Sequence, residues 1–479
     1  MLVLHVAAVV LINISLIAAK RPHILFIVAD DLGWNDVGYQ NPDVITPTID
    51  KLAKQGVIFQ SSYVLPICSP SRSTYMSGMY PYKTGMQHIV LGGRQSFCLP
   101  LELRTLPQQL KEVGYATHAV GKWNLGFCNL KCIPTYRGFD SFLGYYNTQE
   151  DYYNHTFGGY LDLHDGERVA REYDGQYSTH VYTNRTTSII GAHDPDKPLF
   201  IYLPYQSVHY PIQVPDKYAN MYPHIGNEGR KKFSGMVTAM DEGIGNITRA
   251  LQAKGMLDDT IILFTTDNGA ELFKYGNNYP LRGGKHTLWE GGTRGVAFMA
   301  GAGLQHTGIK YNGLIHSIDW MPTLIGAAGA PQAEVDGVNQ WDSIRLNQPS
   351  KRSEFIYNLD DFRIPTQGHA AIRVGDWKLI LGYPGESDGW TKPMNDTKDT
   401  VLLYNIYSPG DTPSYLFNIT DDPREFYNVA DQHPDIVQKL TKRIQEYRLL
   451  MVPAKYPAND PAADVAAKNN GNAWASGWC

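Results

Sequence analysis

HILFIVADD, His23–Asp31, is an apolar run that ends on two adjacent carboxylates. Bounded by polar chain on both sides, it reads as a buried strand. The same arrangement recurs along the chain. YATHAV leads to Gly121 and Lys122, PLFIYLPY leads to Gln206 and on to His209, and TIILFTT leads to Asp267 and Asn268. Helical patterns lie between these runs. TPTIDKLAKQG has Thr46 as its cap, Pro47 in its first turn and Gly56 as its stop; LPQQLKEVG follows, and a longer helix runs from about Arg230 to Lys254 and ends at Gly255. The alternation predicts an α/β domain whose large, mostly parallel sheet is flanked by helices.

In open α/β sheets ligands bind at the carboxyl ends of the strands. Asp30, Asp31, Lys122, His209, Asp267 and Asn268 each follow a strand, so one crevice is expected to collect them although hundreds of positions separate some of them. Asp30, Asp31, Asp267 and Asn268 supply three carboxylates and an amide oxygen, a hard oxygen set suited to Ca²⁺ or Mg²⁺ and poor for zinc. Asp-Asp and Asp-Asn-Gly are also ordinary turn sequences, but two such pairs, each just past a buried strand, favour the metal. Arg72, Lys122, His209 and Lys285 would suit a multiply anionic ligand such as a sulfate or phosphate ester.

Cys68 stands in ICSPSRS, Ile67–Ser73. The serines can cap a helix, and Arg72 lies one helical turn past the thiol. A helix opening here would turn backbone N–H groups toward an anion. The chain has five cysteines, Cys68, Cys98, Cys128, Cys132 and Cys479, so an oxidising compartment leaves at least one without a partner. Cys68 is the expected free thiol; the alternative pairs Cys68 and frees Cys479.

After about Asp342 the texture changes. NQPSKRSE reads as a connection, AAIRVGDWKLILGYPG as a hairpin around Gly375-Asp376, and DIVQKLTKRIQEYRLLM as a late helix, together a small α+β domain with an extended tail. The expected organisation is residues 1–19, a catalytic domain over 20–345, and a C-terminal subdomain and tail over 346–479. The apolar start from Leu2 to Ala19, ending on Ala18 and Ala19, reads as a removable signal peptide, with a signal anchor as the alternative; no later segment is long and apolar enough to span. Sequons at Asn154, Asn184, Asn246, Asn395 and Asn418 are candidate glycan sites. A net charge of -5 and a pI of about 6.3 give no reason to expect nucleic acid or an anionic membrane as partner.

CSPSR with Gly78 resembles the signature of the type I sulfatases, and the likeness continues through ADDLGWNDVGY (Ala29–Tyr39), GKWNLG (Gly121–Gly126), QSVHYPIQVP (Gln206–Pro215), TTDNGA (Thr265–Ala270) and PLRGGKHTLWEGGTRG (Pro280–Gly295). The last block, with HAAIRVGDWKLILGYPG (His369–Gly385), looks most like the N-acetylgalactosamine-4-sulfatase (arylsulfatase B) branch. The resemblance implies an alkaline-phosphatase-like domain and oxidation of Cys68 to formylglycine by the formylglycine-generating enzyme. It implies Ca²⁺ on Asp30, Asp31, Asp267, Asn268 and the modified residue 68. Arg72 and Lys122 would hold the formylglycine hydrate, and His209 and Lys285 would contact the sulfate ester and help protonate the departing alcohol. One hydroxyl of the hydrate attacks sulfur; the other then loses its proton, expels sulfate and restores the aldehyde.

The resemblance also implies a Cys98–Cys132 disulfide, which leaves Cys128 and Cys479 as a second pair. It points to sulfated glycosaminoglycan sugars of the N-acetylgalactosamine 4-sulfate type as substrate, and to the secretory pathway, lysosomal or extracellular. The departure is Asn124, where the family has the histidine assigned to deprotonate the second hydroxyl. An amide cannot act as a base near neutral pH. Three readings follow: Asn124 orients the hydrate while water or His286 takes the proton, turnover slows, or the fold survives as a sulfated-glycan binder. A phosphatase or phosphodiesterase of the alkaline phosphatase superfamily, with Thr or Ser as nucleophile, is the alternative among enzymes.

Overall fold

Three of the longer strands are buried along their whole length, His23–Ala29, Leu199–Pro204 and Thr260–Thr266, which is why they read as unbroken apolar runs without alternation. They come from a computed structural model that describes residues 20–332, 334–392, 403–404 and 413–479. The signal-peptide reading of 1–19 and the sequon at Asn395 lie outside the described residues. The large sheet has ten strands, in the order Ile309–Tyr311, Val57–Phe59, Ala297–Gly301, Thr260–Thr266, His23–Ala29, Leu199–Pro204, Ala116–Lys122, Ser141–Tyr145, Leu163–Asp165, Arg168–Val169. The five from Thr260–Thr266 to Ser141–Tyr145 are mutually parallel; Ala297–Gly301 on one side and Leu163–Asp165 on the other join antiparallel. The parallel expectation therefore describes the centre, and the flanks make the sheet mixed.

Side chains alternate across this sheet. Leu25 and Ile27 pack with Met236, Met240 and Ile244 of the long helix Glu228–Ala253, whereas Ile24, Phe26 and Val28 face Trp320 and Trp474. The long helix starts two residues earlier than its apolar pattern suggested, because the Asn227 side chain accepts a hydrogen bond from Arg230 N. Thr46 does precede the helix Pro47–Gln55, but its hydroxyl donates to Asp50 and accepts from Gly38 N in place of capping the backbone.

The C-terminal region forms a four-stranded antiparallel sheet, ordered Glu354–Leu359, Ala370–Val374, Trp377–Leu381, Ser414–Asn418. Val374 pairs with Trp377 across Gly375-Asp376, and Gly375 takes φ 55, so the hairpin sits where its turn residues place it. Leu440 and Ile444 of the helix Pro434–Arg448 join its core. The tail is not simply extended. It carries a helix, Ala462–Asn469, whose Ala463 and Ala467 are fully buried against the large sheet's core. Small residues at i and i+4 gave too faint an apolar stripe to reveal it. Among the described residues, no helix is long and apolar enough to cross a membrane.

One buried ion cluster ties the C-terminal sheet to the helix Glu290–Thr293, which leads into the strand Ala297–Gly301 of the large sheet. Lys378 Nζ lies 2.9 Å from Glu290 and 2.8 Å from Glu425, all three side chains without solvent exposure. Tyr63 donates to Glu290 at 2.8 Å, Tyr357 at 3.1 Å, and Glu425 accepts from Glu290 N at 2.7 Å. Burial, with Glu290 beside it, pushes the Glu425 carboxyl up to about 7 despite Lys378. A carboxyl that binds its proton more tightly folded than unfolded stabilises the fold at low pH, and this contribution fades as pH rises from the unfolded value through about 7. The melting temperature of the native protein should therefore fall relative to that of Glu425→Gln between pH 5 and pH 8, as read by paired thermal melts. Lys378→Met, which leaves two carboxyls facing each other, should cost about 3–5 kcal/mol by denaturant titration.

Candidate active site

Each central strand delivers its polar group where the sheet ends. Ala29 is level with Thr266, so Asp30 and Asp267 emerge side by side, and Asp267 N bonds Ala29 O at 3.1 Å. Asp31 turns out of the strand at φ 58, a left-handed backbone that Asp tolerates better than most residues. Cys68 is the first residue of the helix Cys68–Ser77, which ends on Gly78 at φ 66. The serines do not cap it. Ile67 stands at the cap with no side-chain bond, while Ser71 binds Leu65 and Ser73 donates to Pro70 O.

The predicted side chains converge. Cys68 Sγ lies 3.5 Å from Asp30 Oδ1, and Lys122 Nζ lies 2.6 Å from Asp30 Oδ2. Arg72 grips Asp267 Oδ2 from Nη2 at 2.7 Å and Nε at 3.0 Å, with Nη2 also 3.5 Å from Asp30 Oδ1. Lys285 Nζ is 2.7 Å from Asp31 Oδ1, and His209 Nε2 is 3.7 Å from Asp31 Oδ2. Arg72 thus reaches past the thiol to the carboxylates. Its place one turn along the helix serves Asp267.

Burial alone would raise the carboxyls of Asp30 and Asp31. Lys122 beside the first and Lys285 beside the second outweigh it and hold both below the usual range. Asp267 is pushed up by burial and by the Asp30 charge, against Arg72. Burial and Lys285 lower His209, whose Nδ1 is tied to Tyr210 O at 2.6 Å, so the neutral ring presents a bare Nε2 to the site. Burial also pushes the Cys68 thiol up, so as a plain cysteine it is a poor nucleophile here.

The arrangement fits a divalent cation. Ligand atoms of Asp30, Asp31, Cys68 and His209 all lie within 4.8 Å of one another. Asn268 borders this set: its Nδ2 donates to Asp31 Oδ1 at 2.7 Å, while its Oδ1 is buried with no hydrogen-bond partner. A buried oxygen with no donor suits an oxygen-seeking ion. Three carboxylates, Asp30, Asp31 and Asp267, balance three cations, Arg72, Lys122 and Lys285, so an added dication would give the pocket a positive surplus for an anion.

A cavity of about 240 Å³ opens over Cys68, Asp31, His209 and Lys285, and His286 and Glu271 share its wall. Thr148 and Gln149 also line it, residues that sequence reasoning passed over. They follow the strand Ser141–Tyr145, and the rule that found the other strand ends would have pointed to them. Asn124 is absent from this lining. Its Oδ1 accepts from Ser69 Oγ at 2.8 Å and its Nδ2 donates to Leu91 O at 3.3 Å, so both ends of the amide are engaged away from the cavity. His286 Nε2 lies 3.5 Å from Glu271, and its Nδ1 is buried without a partner.

Cys98–Cys132 and Cys128–Cys479 are disulfide-bonded and Cys68 is free and buried. Asn154 and Asn184 are exposed, whereas Asn246 and Asn418 are half-buried. Asn418 Nδ2 also donates to Asp421 at 2.6 Å.

The family model described as Sulfatase matches residues 22–330. Arylsulfatase J of Mus musculus is 40% identical over 95% of this chain and 80% of its own length. N-acetylgalactosamine-6-sulfatase of Homo sapiens is 27% identical over 92% of this chain and 88% of its own. Among solved structures, Ps i-CgsB in complex with k-i-k-neocarrahexaose superposes with a TM-score of 0.78 at 28% identity, over 94% of this chain and 98% of that one.

If the pocket holds a divalent ion, EDTA should lower the melting temperature and excess Ca²⁺ should restore it, by about 2.7 kcal/mol at a hundredfold excess over Kd. Asn268→Leu, which removes the unpartnered oxygen, should abolish the response, as followed by differential scanning fluorimetry.

Proposed function

The chain belongs to the sulfatase family, hydrolases of sulfate esters, and from that premise we propose that it removes sulfate from glycosaminoglycan sugars of the N-acetylgalactosamine 4-sulfate type. The observation that carries the reading is Cys68: a free cysteine, buried at a helix start, 3.5 Å from Asp30, the carboxylate that Lys122 and Arg72 also approach. We assign it as the precursor of formylglycine, matured by the formylglycine-generating enzyme, with Ca²⁺ held by Asp30, Asp31, Asp267, Asn268 and residue 68. When present, the cation supplies Lewis-acid polarisation and the modified residue a nucleophilic hydroxyl.

The remaining work falls to the chain's own side chains. Lys122 and Arg72 fix the carboxylates that surround residue 68, so the nucleophile is oriented without reorganisation. Lys285, kept protonated by Asp31, places positive charge against sulfate oxygens and enters the cleavage step with a proton to give to the departing alcohol. His209 offers Nε2 beside it. Two disulfides support an oxidising, secretory-pathway destination, lysosomal or extracellular.

Asn124 leaves the proton of the second hydroxyl without its family acceptor. We assign that role to His286: Glu271 holds Nε2, and Nδ1 is the atom left to take the proton. The Glu271 carboxyl, raised by burial, is brought below its usual range by the His286 hydrogen bond and the Lys285 charge, so it stays an acceptor for the ring. A second reading, a sulfated-glycan binder with little turnover, draws on the engagement of Asn124 away from the cavity.

Mass spectrometry of the peptide spanning residue 68 should find formylglycine in place of cysteine. With that established, His286→Asn should lower kcat on a sulfate ester by about 100-fold with KM little changed, and Asn124→His should raise turnover. If neither the native protein nor Asn124→His turns over while residue 68 is converted, the enzyme reading fails and the binder stands. Cysteine unmodified at 68 would return the phosphatase alternative.

A further inference from the structure

A second cavity, about 520 Å³, lies at the junction of the two sheets and shares no lining residue with the one over Cys68. Arg294, Arg352 and Arg373 line it, together with polar groups including Asn312 and Ser353; its one carboxylate is Asp376, already bound to the Thr420 hydroxyl at 2.6 Å. The three arginines are not equally spent. Arg352 is paired with Asp319 through Nε at 2.6 Å and Nη2 at 2.5 Å.

The other two have no carboxylate in hydrogen-bonding contact. Arg294 gives Nε to Gln60 O at 2.7 Å, and its nearest carboxylate, Glu290, is 3.8 Å from Nη1 and already held by Lys378. Arg373 gives Nε to Gly375 O at 2.6 Å and Nη1 to the Tyr63 hydroxyl at 3.4 Å, both neutral acceptors, although only 5% of the residue is exposed. Arg373 feels the Glu290 carboxylate without bonding it directly, and the planar fork of a guanidinium matches a tetrahedral oxyanion.

We propose that this cavity binds the sulfate or phosphate group of an anionic sugar, with Arg294 and Arg373 on the oxyanion and Asn312 and Ser353 toward the sugar hydroxyls. It would be an anion subsite separate from the catalytic pocket, and it stands independently of the chemistry at residue 68.

The test is calorimetric titration of the full-length protein with glucose 6-sulfate and, separately, glucose 6-phosphate. Two variants accompany it. Arg294→Gln removes one guanidinium, and Asn312→Asp, at an exposed position of nearly unchanged shape, sets a carboxylate against the anion. The native protein should show a class of sites weakened at least about tenfold by either variant, while turnover of a small aryl sulfate is unchanged. The tighter of the two probes identifies the esterifying group. A selenate soak should add a peak between Arg294 and Arg373. Identical binding by the native protein and Asn312→Asp, or selenate at residue 68 alone, would overturn the proposal, and neither result bears on catalysis at Cys68.

Discussion

Asp30 is the point on which the architecture turns. It follows the central strand of the large sheet with no solvent exposure, and an isolated carboxylate there would be prohibitively costly. The compensation comes from two other elements at once: Lys122 from the end of the Ala116–Lys122 strand and Arg72 from the helix Cys68–Ser77. Neither cation is near Asp30 in sequence, so the charge is tolerable only when strand order, helix docking and register are all in place. Such a pairing is weak as a source of stability, because desolvation consumes much of the attraction. Its value is positional: it leaves one carboxylate oxygen against Cys68 at a fixed distance.

The same logic extends outward through the segment from Arg282 to Glu290. Lys285 reaches back to Asp31, and five residues later Glu290 is buried against Lys378 and Glu425. Arg282 pairs with Asp388 at 2.6 Å and lies over the Trp289 ring at 3.7 Å. A stretch that looks like one motif therefore reaches the pocket from its middle, at Lys285, and C-terminal residues from both ends, at Arg282 and Glu290. Displacement of the small sheet would be felt at Lys285 through a short, well-anchored piece of backbone, and the arginine-lined cavity occupies the same junction.

The central strands were legible because burial on both faces leaves no choice but continuous apolar sequence, and the site was legible because polar residues directly after such strands must surface at one edge. What escaped notice had no comparable signature. The flanking strands Val57–Phe59 and Leu163–Asp165 are three residues each, too short for a period, and the tail helix hides its contact in Ala463 and Ala467. Thr148 and Gln149 are the exception: they follow the strand Ser141–Tyr145, and the strand-end rule covers them. The serines of the Cys68 segment look like helix caps by composition, yet tertiary partners claim them: Ser69 donates to Asn124, and Ser71 binds Leu65. Capping preference is worth about 1 kcal/mol, easily outweighed when a buried side chain elsewhere needs a donor.

That last exchange bears on the departure at residue 124. Asn124 has φ 53, a left-handed backbone that asparagine accepts readily, and it is fully buried. Its amide takes a hydrogen from Ser69 and gives one to Leu91 O, while Ser69 Oγ in turn accepts from Leu91 N at 2.9 Å. The three residues close a small loop of hydrogen bonds in which every partner is neutral and none lines the cavity. In the cavity lining itself the balance is reversed. His286 has an unpartnered Nδ1, a carboxylate behind Nε2 and a main chain pinned to Pro66 O at 2.8 Å. An amide cannot take a proton near neutral pH and an imidazole can, which is why the proposed mechanism gives the second hydroxyl's proton to His286.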